Sequence, residues 1–220
     1  MRRPILYYIT DRTQFPGSES ARREKLLDKI GEAAACGIDF IQLREKDLCS
    51  RELENLARRA REAVRSQKNS PSRLLINSRS DIALAIGASG VHLRSDDVSV
   101  AHAREVAQLA SGKQKREAGG WVVSVSCHSE EEVGVAARDG ADFVVFAPVF
   151  AKAGSSPAGL AALRRACQYN VPVLALGGVT QGNAKSCWEA GAAGIAGIRL
   201  FQENEIQEVS CRISQNSSAL

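Results

Sequence analysis

The sequence predicts a single (β/α)8 barrel over residues 1–220, on three observations. Eight short runs of β-branched and other apolar residues alternate with longer amphipathic stretches. A small residue and a glycine recur just ahead of several of those runs, where a helix must stop. The apolar content is 44% but the aromatic content only 5%, so the interior is built mainly from Ala, Val, Ile and Leu, which suits helices packed on a parallel sheet.

The first run, Ile5 to Ile9, follows "MRRP" and is much too short to span a membrane or to act as the apolar part of a signal peptide. The second, Phe40 to Leu43, ends in the charges of Arg44, Glu45, Lys46 and Asp47 and precedes the amphipathic helix "RELENLARRAREAV". Leu74 to Ile76 and Val91 to Leu93 come next. The fifth run, Val122 to Val125, leads into "SEEEVGVAARDG", where Ser129 is the expected N-cap and the acidic residues behind it suit a first helical turn. Phe143 to Phe146, Val173 to Leu176 and Gly194 to Ile198 complete the set. Four strand entries, "CGIDFIQLR", "IGASGVHLR", "DGADFVVFA" and "AGAAGIAGIR", vary one pattern, as repeated βα units would. The polar segments Gln67 to Ser72 and Ser111 to Gly120 then become αβ loops away from the chemistry. The tail "CRISQNSSAL" shows no core pattern and is expected to fray beyond about residue 212. An eight-stranded open sheet is the alternative arrangement of the same elements.

Composition narrows the function classes. The net charge of +4 is spread along the chain, and its richest basic runs, Arg58 to Arg65 and Lys113 to Arg116, have no aromatic residues among them. That argues against a nucleic-acid partner and for small anions. Cys36, Cys49, Cys127, Cys167, Cys187 and Cys211 lie far apart without zinc-site spacing, so they read as reduced thiols of a cytoplasmic protein with no membrane partner. A homo-oligomer is compatible with this composition.

In a barrel, the residues that follow the strands share one rim. Here they are Thr10, Asp11 and Arg12; Arg44, Glu45 and Lys46; Asn77, Ser78 and Arg79; Arg94, Asp96 and Asp97; Ser126 and His128; Gly177 and Gly178; and Arg199. Each alone reads as an ordinary surface, capping or turn residue. Gathered in one mouth, cations with a few carboxylates suit a phosphorylated ligand and a divalent metal. The glycine pair after strand seven, with a helix opening at Gly182 or Asn183, matches the phosphate site usual in barrels. His128, at the start of the fifth helix, reads equally as a surface histidine or as a proton-transfer group. His92 and His102 read as structural, and Cys127 as a packed thiol.

In this order, "YYITDR", "IQLREKD", "LLINSRSDIALAIGASGVHLRSDD", "VSCHSEEEV", "GADFVVFAPVF", "VPVLALGGVTQGN" and "AGAAGIAGIRLF" resemble the thiamine phosphate synthase and TenI (thiazole tautomerase) superfamily along almost the whole chain. The resemblance implies an enzyme of thiamine biosynthesis that joins hydroxymethylpyrimidine diphosphate to thiazole phosphate, with magnesium, releasing pyrophosphate. By the same resemblance Gln42, Arg44 and Lys46 bind the pyrimidine diphosphate, Asn77 touches the pyrimidine, Asp97 binds metal and Ser126 contacts diphosphate. Gly177 and Gly178, with Ile198 and Arg199, match the thiazole phosphate site.

The chain departs from the family pattern in three places. Ser78 stands where an Asp metal ligand is expected, which leaves magnesium to Asp97, with Asp96 beside it. The loop after strand six reads "APVFAKAGSSPAGL", so Lys152, Gly154 and Ser155 stand at shifted or substituted places, and the eighth strand is followed by Arg199 rather than a small polar residue. These departures favour the alternative of a TenI-like tautomerase, in which a His matching His128 is acid or base and neither diphosphate nor magnesium is needed. The intact Gln42, Arg44 and Lys46 favour the synthase. A phosphate-binding barrel without catalysis is the third reading.

Overall fold

The computed structural model describes residues 3–110, 120–151 and 156–217. The polar stretch from Ser111, the basic run Lys113 to Arg116, and Lys152, Gly154 and Ser155 therefore lie outside the described residues. Eight parallel strands close into a barrel in sequence order: β1 (Ile5–Ile9), β2 (Phe40–Leu43), β3 (Arg73–Asn77), β4 (Gly90–Leu93), β5 (Val122–Cys127), β6 (Phe143–Phe146), β7 (Val173–Ala175) and β8 (Gly194–Gly197). Ile5 opposite Gly194 begins the β1–β8 pairing that seals it. The helices are α1 (Glu19–Ala35), α2 (Ser50–Arg65), α3 (Ser80–Ile86), α4 (Val100–Ala110), α5 (Glu130–Arg138), α6 (Gly159–Ala166), α7 (Ala184–Glu189), α8 (Arg199–Gln202) and α9 (Ile206–Ser217). This is the (β/α)8 barrel rather than the open sheet. Among the described residues, no helix is long and apolar enough to cross a membrane.

The core has two parts, as strand alternation requires. Outward-facing residues such as Leu6, Tyr8, Ile41, Val91 and Val144 pack beneath the helices. Inward-facing Tyr7, Ile9, Leu75, Val122, Phe143, Val145, Leu174 and Ala196 fill the barrel. Three aromatic residues stack there: Phe40 and Phe143 lie 4.7 Å apart between ring centroids, with Tyr7 edge-on to both. They plug the barrel and leave its mouth to polar groups.

The repeated glycines do two jobs. Gly37, Gly87, Gly140 and Gly191 have positive φ and end helices as expected. Gly194 instead faces its neighbouring strand so closely that a Cβ would lie 2.1 Å from Ile5 O, which excludes any side chain. Ser129 caps α5, its Oγ accepting from the Glu132 N–H at 3.2 Å.

Several elements differ from the sequence reading, β7 and β8 among them, which end at Ala175 and Gly197 rather than at Leu176 and Ile198. β3 and β5 extend to Asn77 and Cys127, so Asn77 and Ser126 sit on hydrogen-bonded strands rather than in loops. The tail does not stop at residue 212: α9 continues to Ser217 and buries Ile206, Val209 and Ile213 in the outer core. These three apolar residues follow helical spacing, a period that is lost when the tail is read from Cys211 alone.

Candidate active site

At the mouth of the barrel the charged run after β2 divides by burial. Glu45 turns inward, where its Oε1 accepts from Thr10 Oγ1 at 2.6 Å and its Oε2 accepts from Arg12 N at 3.1 Å and Arg12 Nη1 at 3.0 Å. Arg12 is itself buried and also donates to both carboxylate oxygens of Asp47, each at 2.7 Å, and to Glu19 at 2.7 Å. Burial pushes the Glu45 carboxyl up, against the pull of Thr10 and Arg12. Thr10 Oγ1 in turn accepts from the Arg44 N–H at 2.9 Å, so this buried network fixes the backbone that carries Arg44 and Lys46. Arg12 and Glu45 were expected on the rim; both are buried beneath it.

Most carboxylates of this region face a cation. Glu45 and Asp47 pair with Arg12, and Asp96 and Asp97 with Arg94. Arg44 and Lys46 make no ion pair among the described residues. They crowd each other: the Arg44 charge, then burial, then Arg94 lower the Lys46 ammonium from its ordinary value.

A polar chain crosses the floor of the mouth. Gln42 Nε2 donates to Asn77 Oδ1 at 2.8 Å, Asn77 Nδ2 donates to Ser78 Oγ at 3.1 Å, and Ser78 Oγ donates to Asp97 Oδ2 at 2.6 Å. Asp97 Oδ2 also accepts from Arg94 N at 2.8 Å, while Oδ1 lies 3.6 Å from Arg94 Nε without a hydrogen bond among the described residues. Ser78 has φ +58°, the left-handed region that a serine seldom occupies. At the other end Gln42, only 1% exposed, leaves Oε1 buried with no partner.

His92 does more than fill space. It is buried between two serines, with Nδ1 2.9 Å from Ser124 Oγ and Nε2 2.8 Å from Ser126 Oγ. Burial, aided by the Arg44 charge, pushes its pKa down to about 3, so the ring is neutral and has one N–H to give. Ser126, one of the expected contacts, is thus held by a residue read as structural. The strand register placed His92 opposite Ser124, which was the available sign.

His128 precedes the Ser129 cap instead of lying inside the helix, and it is exposed. Its Nδ1–H donates to Ala147 O at 2.8 Å, and its backbone N–H donates to Glu132 Oε2 at 2.6 Å. In the neutral ring Nε2 remains as the acceptor. Cys127 is buried, and that burial pushes its thiol up to about 12, so it packs as a neutral group.

The opposite side of the rim holds a cavity of about 560 Å³ lined by Gly177, Gly178, Ile198, Arg199 and Arg212. A Cβ at Gly177 or Gly178 would come within 2.7 Å of Pro148 or 2.8 Å of Phe150, so these positions keep the β7 and β6 loops in close contact. Asn183 ties the loop together, donating to Gly178 O at 2.9 Å and accepting from Thr180 N at 2.8 Å. Arg212 comes from α9 and donates to Gln181 at 3.2 Å. It escaped the sequence reading because the tail was expected to fray. Lys152 lies outside the described residues, and His102 is an exposed residue of α4 beside Ser99.

Known proteins resemble this chain in sequence and fold. Residues 6–201 match the family model described as thiamine monophosphate synthase. A putative thiamine-phosphate synthase 2 of Aquifex aeolicus is 38% identical over 207 residues, covering 92% of this chain and 100% of the relative. The thiamine-phosphate synthase of Syntrophomonas wolfei is 36% identical over 218 residues, covering 96% of this chain and 94% of the relative. The solved structure of a thiamine phosphate pyrophosphorylase from Pyrococcus furiosus superposes with a TM-score of 0.77 at 26% identity, covering 98% and 96% of the two chains. A match that runs from β1 through α8, with relatives similar along nearly their full length, leaves one conclusion: the chain belongs to the thiamine monophosphate synthase family, within the superfamily shared with TenI.

Proposed function

We propose that the chain is a thiamine phosphate synthase, a transferase that joins hydroxymethylpyrimidine diphosphate to thiazole phosphate and releases pyrophosphate. The observation that carries this reading is the linked amide pair of Gln42 and Asn77 on the floor of the mouth, set beside Arg44 and Lys46, which make no ion pair among the described residues. Amides below and cations beside them suit a polar ring that carries a diphosphate.

Arg44 and Lys46 then hold the diphosphate. Gly177, Gly178, Ile198 and Arg199 hold the thiazole phosphate across the rim. The thiazole nitrogen bonds to the pyrimidine methylene carbon as the carbon–oxygen bond to diphosphate breaks, and the electron pair leaves with pyrophosphate. No proton moves in this step. Catalysis therefore rests on positioning and on cations that meet the growing charge of the leaving group. Ser126 adds a hydroxyl donor if His92 gives its Nε2–H to Ser126 Oγ and accepts from Ser124 at Nδ1.

Magnesium is the metal the family implies. Asp97 has one oxygen without a hydrogen bond among the described residues and Ser78 Oγ beside it, and magnesium accepts one carboxylate when phosphate oxygens and water complete its shell. The residues present fit the ion on those terms, with Asp97 as its protein ligand. When bound, it neutralises charge on the departing diphosphate.

Arg44→Ala, Lys46→Ala and Asp97→Ala are each expected to lower magnesium-dependent turnover by roughly a hundredfold or more, the scale of losing one preorganised stabilising group; wild-type rates in all three reject the assignment. A second reading, a thiazole tautomerase, draws on His128, whose Nδ1–H is tied to Ala147 O while Nε2 is left as a base. Under that reading His128→Ala abolishes isomerisation but keeps thiazole phosphate binding, whereas in the synthase it leaves coupling largely intact.

A further inference from the structure

The opposite end of the barrel carries a second group of cations without partners. A cavity of about 250 Å³ opens where α2 runs into β3 and α3 into β4, lined by Arg61, Arg65, Asn69, Ser70, Ser72 and Gly87 among others. No carboxylate lines it. On the same helix, Arg58 pairs with Glu54 and Arg59 with Glu24, whereas Arg61 and Arg65 make no ion pair among the described residues. They stand four residues apart on one face, an arrangement of like charges that weakens a helix unless something offsets it.

The C-terminal end of α2 accounts for one exposed cation in its last turn. It does not account for Arg61, which lines the cavity one turn earlier and has no carboxylate partner among the described residues. The surroundings hold that guanidinium in place: a Cβ at Gly87 would lie 3.2 Å from Arg61 Nη2, and Gly87, at φ +66°, leaves the space open. The serine hydroxyl hydrogens are already committed, Ser70 donating to Ala34 O at 2.8 Å and Ser72 to Ile38 O. The donors left over are two guanidinium groups and the Asn69 amide.

We propose that this pocket on the N-terminal face is a second anion site, taking inorganic phosphate or a single terminal phosphate group. Planar guanidinium forks match phosphate oxygens, and the absence of carboxylates selects for an anion. The volume lies below the roughly 300–1,000 Å³ typical of sites for larger ligands, which excludes a whole nucleotide. The site is separate from the catalytic rim and holds whether or not the proposed reaction is correct.

The test is a titration of the full-length protein with inorganic phosphate, followed by the backbone amide NMR shifts of residues 67–72 and 87–89, with sodium chloride at matched ionic strength as control. Saturable shifts with phosphate alone are expected, weakened about tenfold or more in Arg61→Gln, the scale of losing a charge-assisted hydrogen bond. Shifts around residues 177–178 and 199 stay unchanged in that variant, which also verifies its fold, and Arg65→Gln gives an independent loss. Equal shifts with chloride, no saturation, or wild-type affinity in both variants overturns the proposal.

Discussion

His92 sets the chemistry of its surroundings by what it cannot do. Its ring, 2% exposed and wedged between Ser124 and Ser126, stays neutral with a pKa of about 3. An unfolded histidine takes up a proton near pH 6.5, so below that value the unfolded chain binds more protons than the native one and stability falls with pH. The contribution of His92 is therefore present above about pH 6.5 and drains away toward pH 3, amounting to as much as roughly 4 kcal/mol. Urea unfolding of His92→Gln across this window is expected to show a shallower slope than wild type; identical slopes would show that the imidazole carries no such linkage. Sequence reading found Ser126 but not its support, because the pairing of His92 with the β5 serines shows only once the register of β4 against β5 is known. Gln42, Asn77 and Asp97 were legible as a site, whereas the Ser78 bridge joining them depends on a left-handed backbone that the sequence does not announce.

The loop between β2 and α2 is held by a buried ion pair rather than by regular structure. Glu45 joins Arg12 and Thr10 under the rim, and Thr10 fixes the Arg44 backbone, so the alternation of the run sends one charge down and its neighbours up. Removing one partner of a buried pair strands the other, at a cost of roughly 3–5 kcal/mol. Arg12→Met is expected to lose that much, and the double variant with Glu45→Gln to lose less than the sum of the single changes. Additive losses in a double-mutant cycle would mean that the two side chains act separately. The strands and most helices were legible because each carries its own period, and four of the helices end on a glycine. α9 was not, since its apolar face of Ile206, Val209 and Ile213 straddles the point where the sequence turns polar. That misreading also hid Arg212, which lines the cavity beside Gly177 and Gly178 only because the helix folds back over the barrel.

At the scale of the whole molecule, the barrel brings together groups that are remote in sequence: an acceptor and cations from β2, β3 and β4 on one side, and the glycine loops of β7 and β8 on the other. The fold was readable because eight similar βα units can close in few ways, and Gly194 lets the last strand meet the first. What could not be read was the state of each charge, which depends on neighbours that only the closed barrel supplies. Arg94, for example, pairs with Asp96 at 2.8 Å and stands 3.6 Å from Asp97, while Arg44 and Lys46 make no ion pair among the described residues. The most direct measurement is a single-turnover assay of the purified protein with hydroxymethylpyrimidine diphosphate, thiazole phosphate and magnesium. The account predicts thiamine phosphate and pyrophosphate in equal amounts, both disappearing when magnesium is chelated. Absence of either product in a sample that binds thiazole phosphate would contradict it.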